Sequence, residues 1–293
     1  MRKALLLAAL SVSLTACAST GGKPPTASAP PAQTPAQLYA ASLYEAAITK
    51  PSIIGPGLLR IAPDNPKLSW RDGPNGRQVL VASTMSTYSY EKYYQGQTTG
   101  GPTGWGQIWV TAVPQLKEFC TKAPGDAAAK TERVVQWLGL NPANPYAQVV
   151  ELWIEAEQLV RPCPITDISA ATCTLDTADQ WAPPAVQGTA TRPVCAAGDV
   201  PCAEKQSYWD WFATNMRLNL KEGGAPWTRL GYTFDWKPAK DGGFVRYGAS
   251  EFVMKPGAKY QIHAAYTWPS TARHRGPNLP AASQRGRGGG RRP

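Results

Sequence analysis

The sequence lacks the motifs that identify many hydrolases and nucleotide-binding enzymes. "YGASEFV" places Gly248 two residues before Ser250, but Phe252 stands where a nucleophile elbow requires a second glycine. Residues 100–106, "GGPTGWG", are rich in glycine but lack the G-K-[ST] ending of a phosphate-binding loop. H-E-x-x-H and an internal repeat of fixed period are also missing. The chain therefore carries none of these catalytic signatures.

Metal ligands are scarce as well. The sequence has two histidines and no C-x-x-C pair, and both histidines lie far from the cysteines along the chain. Structural zinc sites usually combine closely spaced cysteines with histidines. We therefore predict no metal site and no cofactor.

Long apolar runs are confined to the N-terminus. Arg2 and Lys3 precede an apolar stretch at residues 4–14 that is too short to span a bilayer, which is the composition of a secretory signal peptide. No later stretch approaches the roughly 18 apolar residues of a membrane-spanning helix. The sequence thus predicts export, with residues 1–16 as the signal peptide.

The end of that stretch, Leu14-Thr15-Ala16-Cys17, resembles the lipobox of bacterial lipoproteins. The resemblance covers only the targeting segment and implies cleavage before Cys17, which would carry palmitate or similar acyl chains. Ala18 stands where an Asp is the usual inner-membrane retention signal, which favours the outer membrane, facing the periplasm or the surface. The alternative is an ordinary signal peptide, with Cys17 as a free or paired thiol.

The net charge of +10 belongs to the ends of the chain. Six arginines and no acidic residue lie in residues 273–293, and Arg2 and Lys3 leave with the signal peptide, so the remainder carries about +2. The domain prediction is a Pro/Ala/Ser/Thr-rich tether at 17–36, one globular domain at 37–270 and a disordered Arg/Gly-rich tail at 271–293. The tail resembles RNA-binding RGG segments, but an exported chain makes nucleic acid an improbable partner. Anionic lipid or polysaccharide suits it better, and a solvated tail without a partner is the alternative.

Five cysteines remain after Cys17, and export favours disulfides between them. Cys163 and Cys173 flank one short loop, and Cys195 and Cys202 flank another, which predicts those two pairs and leaves Cys120 as a buried thiol. Sequence alone does not determine the pairing.

Apolar periodicity predicts an α+β fold: a mainly antiparallel sheet with about four helices packed on one side and a long disulfide-stapled loop at 162–201. Predicted helices lie in 34–50, from Pro114 past Cys120, in 126–140 and in 201–221. Predicted strands lie in 67–83 (two strands around a turn), 106–113, 147–154, 227–236, 250–254 and 259–268, the last three forming a terminal antiparallel sheet.

Three residues are candidate catalytic groups. His263 could act as a general acid or base if Asp235 shared its sheet face and oriented the imidazole, and Glu251 is a further acid. The competing interpretation is that His263 is a solvated surface residue of an alternating strand, because nothing in the sequence brings Asp235 into register with it.

Aromatic residues are abundant, with eleven Trp and twelve Tyr, and most occupy predicted apolar faces. A Tyr-, Gly- and Thr-rich loop at 88–105 lies outside any such face and predicts a binding surface. Its candidate binding residues are Tyr88, Tyr90, Tyr93, Tyr94 and Trp105.

Two functions fit these features. The first is a lipid-anchored, non-enzymatic binding or structural component of the cell envelope, whose partner is a protein or a glycan. The second is a periplasmic hydrolase of an envelope polymer, using His263 with Asp235 or Glu251, or a pair of carboxylates of glycosidase type.

Overall fold

The computed structural model describes residues 32–48, 50–164, 166–173, 194–219, 221 and 223–267. Within these ranges the chain is α+β, as predicted. The α-helices are α1 (Pro35–Ala47), α2 (Thr87–Tyr93), α3 (Val113–Lys122), α4 (Ala127–Trp137) and α5 (Val200–Asn219). The strands are β1 (Trp70–Asp72), β2 (Arg77–Ser86), β3 (Thr99–Gly100), β4 (Trp109–Ala112), β5 (Tyr146–Glu155), β6 (Leu159–Val160), β7 (Tyr232–Pro238), β8 (Phe244–Ser250), β9 (Phe252–Met254) and β10 (Tyr260–Thr267). None of these helices combines the length and apolarity needed to cross a membrane.

The main sheet is antiparallel and curled. Its strand order is β3-β10-β5-β2-β4-β9-β6, and β1 pairs with β2 beside β4. β5 lies between β10 and β2, a position that suits its nearly continuous apolar sequence. The largest apolar cluster packs against the main sheet, and the side chains of Val81, Leu152 and Phe252 in it are fully buried. This core includes residues of β2 and β4, the strands that carry the site described below.

A separate hairpin, β7–β8, packs against α1 and α4. Phe234 and Trp236 on its apolar face are fully buried, and Tyr39 of α1 packs edge-on against Trp236 with ring centroids 6.1 Å apart. α1 begins where predicted: Thr34 and Gln37 form a capping box that pairs the first free backbone N–H groups of the helix. Local signals thus set the ends of α1, and apolar burial sets its position.

The terminal strands do not form the single sheet that the sequence predicted. β9 pairs with β4 and β6, β10 pairs with β3 and β5, and β7 pairs only with β8. The three-residue β9 begins directly after β8, so the chain passes from the hairpin into the main sheet at Glu251. Strand pairing over such distances depends on global packing, which local alternation does not encode.

Both predicted disulfides are present: Cys163 pairs with Cys173, and Cys195 pairs with Cys202. Cys120 is a free, half-buried thiol whose pKa is raised by burial. Disulfides persist in oxidising compartments, so they indicate an exported chain.

Arg161 anchors the loop that the first disulfide closes. It is fully buried, and its guanidinium donates to five backbone carbonyls, those of Leu59, Asp167, Ile168, Ala170 and Gly231. Burial lowers its pKa to about 10. Gly231 has a φ of +75°, and a Cβ there would lie 2.6 Å from Arg161 Cδ, so only glycine permits this approach.

Candidate functional site

A cavity of about 510 Å³ opens between the main sheet, α2, α5 and the segment that leads into β7. Its floor is formed by β2 and β4, including Ser83, Thr111 and Trp109. Trp227, Glu251 and Asn215 of α5 also line the cavity. This volume falls within the range of roughly 300–1,000 Å³ that is typical of small-ligand sites.

An aromatic cluster surrounds the end of the cavity nearest α5. Trp109 packs edge-on against Trp227 with ring centroids 5.8 Å apart, and Trp211 of α5 lies 5.9 Å from Trp109 and 5.7 Å from Trp227. Phe212 supports Trp227 from beneath at 4.7 Å. Edge-to-face and tilted packing of this kind holds each ring in a fixed orientation.

Three residues of the cavity wall carry buried polar atoms without a hydrogen-bond partner in the described part of the chain. These atoms are Thr111 Oγ1, Trp227 Nε1 and Glu251 Oε1. An unpaired buried donor or acceptor costs about 1–3 kcal/mol, so native proteins rarely keep several together without a functional reason. Their concentration in one wall marks this cavity as the candidate binding site.

Glu251 is neutral at pH 7. Burial raises its pKa to about 8, and the Trp227 indole N–H and the Arg161 guanidinium offset only part of that rise. The Trp227 indole therefore lies close enough to the carboxyl group to act on its pKa. A neutral carboxyl carries an O–H donor as well as an acceptor oxygen.

The cavity lining combines apolar and polar side chains and carries no formal charge near neutral pH. Its polar side chains are hydroxyls and amides, such as Ser89, Gln107, Thr111 and Asn215. Among its described lining residues there is no Lys, Arg, His or Asp. Anionic ligands usually require Arg or Lys, so the lining favours a neutral ligand with many hydroxyl groups.

A shallower groove of about 420 Å³ adjoins the cavity. Trp105 and Trp211 stack there with ring centroids 5.9 Å apart, and Leu218 and Asp210 complete its lining. Asn215 lines both depressions, so they form one continuous surface.

The predicted pair of His263 and Asp235 does not form. Asp235 lies on β7, fully buried, and forms a bidentate ion pair with Arg133 of α4 at 3.0 and 2.5 Å. Burial raises its pKa, and Arg133 opposes the rise. His263 lies on β10 with its side chain 47% exposed, 3.9 Å from Glu151 and edge-on to Trp153. The two residues belong to different sheets, so the predicted acid–base couple is wrong.

The regular alternation predicted around His263 also fails. A bulge shifts the pairing of β10 with β5 between Ile262 and Ala264, so Ala264 and Ala265 are both buried and Tyr266 is exposed. A bulge adds one residue to a strand and reverses the faces beyond it. Of the three candidate catalytic residues, only Glu251 lines the cavity.

The five predicted binding aromatics divide between several environments. The segment forms α2 before its loop begins, because the Ser86 hydroxyl caps the helix by accepting from Ser89 N–H. Tyr93 and Tyr94 line the cavity, and Trp105 lines the adjoining groove. Tyr90 packs against the main core, and Tyr88 is 66% exposed. They do not form one surface.

The spacing Ser89-x-x-Lys92 matches the S-x-x-K motif of penicillin-binding enzymes. Lys92 Nζ, however, donates to the Tyr88 hydroxyl at 3.2 Å and lies over the rings of Tyr88 and Tyr93. Ser89 Oγ instead accepts from Ser86 Oγ at 3.0 Å. Lys92 is thus not positioned to activate Ser89.

Sequence reasoning did not find Thr111, Trp109, Trp211, Trp227 or Asn215 as site residues. The excess of tryptophan was the available signal, but these tryptophans occupy strand and helix segments whose periodicity indicates core. The structure shows that Trp109 and Trp211 are only half-buried and face a cavity or groove.

Several predictions lie outside the described residues, namely Cys17, the signal peptide, most of the tether and the Arg/Gly-rich tail. Within the described residues no group of three or more His, Cys, Asp or Glu side chains could hold a metal ion. No protein-family model matches the chain, and no match was found among the curated proteins or the solved structures. The geometry of the cavity therefore carries the functional argument.

Proposed function

We propose that this protein is an exported lipoprotein that binds a neutral saccharide of the cell envelope in the cavity lined by Thr111, Trp227 and Glu251. The observation that carries this proposal is the set of three unpaired polar atoms in an aromatic wall without cationic side chains. A sugar offers hydroxyl groups that both donate and accept, together with an apolar ring face.

The chemistry of each wall residue suits a sugar ring. The neutral carboxyl of Glu251 can donate to one hydroxyl and accept from another, whereas Trp227 Nε1 can only donate. Thr111 Oγ1 can do either. Tryptophan rings nearby give the ring face of the sugar a flat apolar contact, with a polar edge for its hydroxyl groups.

A concave site favours a glycan over a partner protein. Protein interfaces of stable complexes bury about 800 Å² on each side and are mostly built on broad patches, whereas small ligands occupy enclosed clefts. The cavity here fits the second case. A partner protein remains the alternative occupant of the same surface.

Titration of the purified protein with saccharides tests the proposal. The intrinsic tryptophan fluorescence should change and saturate with neutral hexose or N-acetylhexosamine oligosaccharides, because Trp109 and Trp227 line the cavity. Trp227→Phe should weaken binding at least about fivefold by removing the N–H donor. Sialylated or uronic-acid oligosaccharides should bind more weakly. Tyr88→Ala, which removes an exposed tyrosine outside both depressions, is the control.

Failure of every neutral saccharide to bind would contradict the proposal. Preference for the acidic saccharides would contradict the argument from the uncharged lining.

Glu251 also supports a second candidate, the hydrolase. A carboxyl kept protonated near neutral pH is the form that a general acid requires. Glycosidases use a second carboxylate, and no other Asp or Glu lines the cavity among the described residues. Incubation with a bound oligosaccharide distinguishes the two: chain shortening that Glu251→Gln abolishes would establish hydrolysis, and an intact oligosaccharide after prolonged incubation supports binding alone.

The anchoring part of the proposal rests on the sequence. Acyl chains on Cys17 would hold the protein at a membrane, with the outer membrane favoured by Ala18. The Arg-rich tail would add contacts with anionic lipid or polysaccharide. Together they would position the cavity next to envelope glycans.

A further inference from the structure

The shallow groove beside the cavity has a built aromatic floor. Trp105 stacks on Trp211, packs edge-on against Tyr208 at 5.2 Å and donates its indole N–H to Ser207 Oγ at 3.1 Å. Both tryptophans are only half-buried. The loop that carries Trp105 is thus fixed onto α5, with one side of the stacked pair left open.

Gly106 permits this arrangement. Its φ is +74°, and a Cβ would lie 2.5 Å from Trp211 Nε1, so a side chain at this position would displace the Trp211 indole. A conformation of this kind disfavours other residues. The glycine at position 106 therefore allows the rings of Trp105 and Trp211 to stack at the surface.

The groove and the cavity are joined in two ways. Asn215 lines both, and Trp211 contacts Trp109 and Trp227 of the cavity as well as Trp105 of the groove. A ligand that leaves the cavity past Asn215 therefore meets the Trp105–Trp211 pair next. Asn215 can donate to and accept from hydroxyl groups on either side.

We propose that the protein binds a glycan chain of at least two sugar rings, one in the cavity and the next on the Trp105–Trp211 pair, with Asn215 between them. This inference rests on the proposed function and adds a second subsite to it. The lining of the groove contains one charged side chain, Asp210, and no cationic one among the described residues. An anionic second ring is accordingly disfavoured.

Binding as a function of chain length tests this inference. We expect the affinity of the purified protein for neutral hexose and N-acetylhexosamine oligosaccharides to rise about tenfold or more between one ring and two or three rings, because a stacked aromatic contact contributes of that order. Trp105→Ala should remove that gain and leave the affinity for the single ring within about twofold of the original.

A second variant addresses the risk that Trp105→Ala disturbs the loop. Leu218 is 45% exposed at the edge of the groove, so Leu218→Glu should leave folding intact and reduce the gain from the added rings by introducing a charge and bulk there. Tyr88→Ala should alter neither affinity. Unchanged single-ring binding in each variant shows that the cavity is still formed.

The outcomes separate the two proposals. If no saccharide of any length binds, the proposed function and the second subsite both fail. If single rings bind as tightly as longer chains, or if both groove variants retain the full gain with length, the second subsite is overturned and the cavity site stands.

Discussion

At the scale of single residues, Glu251 is a carboxyl group in an environment that disfavours its charge. It is 6% exposed and lies next to the fully buried Arg161. The Gly231 carbonyl accepts hydrogen bonds from both the Arg161 guanidinium and the Glu251 N–H. No ion pair forms between them, and burial keeps the carboxyl neutral at pH 7. A protein that only needed stability would gain from an apolar or amide side chain at this position.

The raised pKa of Glu251 predicts how stability changes with pH. The pKa is about 8 in the folded protein and near 4.5 in the unfolded chain. As pH rises, Glu251 therefore ionises first in the unfolded chain, and this ionisation stabilises the unfolded state. The contribution of Glu251 to stability is complete below pH 4.5 and is lost as pH rises to about 8, a loss of roughly 3–5 kcal/mol.

Glu251→Gln should remove that dependence. The variant should unfold at a higher denaturant concentration than the original protein at pH 9, and the difference should disappear at pH 4, as measured by urea unfolding at both pH values. Glu118→Gln, at an exposed carboxyl of α3, should show no such difference. If the stability of the original protein and that of the Glu251 variant changed in the same way with pH, the buried environment assigned to the Glu251 carboxyl group would be contradicted.

At this scale the sequence identified candidate acidic residues but did not predict which residues bury them or pair with them. Glu251 was among the acids named, but its burial depends on Trp227, Arg161 and the hairpin around it. Asp235 looked like a surface residue of an alternating strand, yet Arg133, which is 102 residues away, buries and pairs it. Pairings over such separations result from the packing of α4 on β7, which no local pattern records.

At the scale of elements, Arg161 connects the disulfide loop to the wall of the site. Its guanidinium binds carbonyls of the loop at 167–170, the segment before β1 and Gly231. Its own carbonyl and that of Cys163 accept from the Tyr208 hydroxyl of α5. Loop, helix and hairpin therefore share one buried network, and damage to it should reach the cavity.

Arg161→Lys should destabilise the protein by about 3 kcal/mol, because the three donors of an ammonium group leave buried carbonyls unpaired. The free energy of unfolding in urea measures this change. Arg60→Lys is the matched control: Arg60 donates to Ser169 of the same loop but is exposed, and the expected cost is below about 1 kcal/mol. Equal effects of the two substitutions would show that the buried network does not stabilise this region.

Elements with strong local signals were predicted well. α1 had its N-cap and proline, α4 ends at Trp137 shortly before Gly139 with its φ of +65°, and β5 was apolar along its length. The curl of the sheet was not predictable, because it requires the short strands β6 and β9 to join β4 at the far edge. The bulge in β10 was not predictable either, because it arises from the pairing of β10 with β5 and is not visible in the alternation of apolar and polar residues along β10.

At the scale of the whole molecule, the charge and the proposed anchor are separate from the domain. The basic residues of the tail lie outside the described ranges, and the cavity is lined without cations. The protein as proposed consists of a near-neutral binding domain between a lipid attachment at Cys17 and a cationic tail. Attraction to a membrane and recognition of the ligand are thus assigned to different parts of the chain.

Cys17→Ser should abolish acylation and release the protein from the membrane, because the thioether-linked lipid requires the cysteine sulfur. Fractionation of cells and mass spectrometry of the mature N-terminus measure both effects. Cys120→Ser, at the free thiol of α3, should leave membrane association unchanged. A Cys17 variant that remained in the membrane fraction would contradict the lipoprotein assignment.

If the unpaired polar atoms of the cavity wall are kept for a ligand, removing one of them should weaken binding without weakening the fold, and Thr111→Val is that change. Valine keeps the shape of threonine and removes only the unpaired hydroxyl, so the free energy of unfolding should stay the same or rise by up to about 1 kcal/mol. The affinity for the neutral oligosaccharide should fall by about fivefold, the effect of one lost hydrogen bond. Unchanged affinity, or a loss of stability that reveals a protein partner for Oγ1, would contradict the claim.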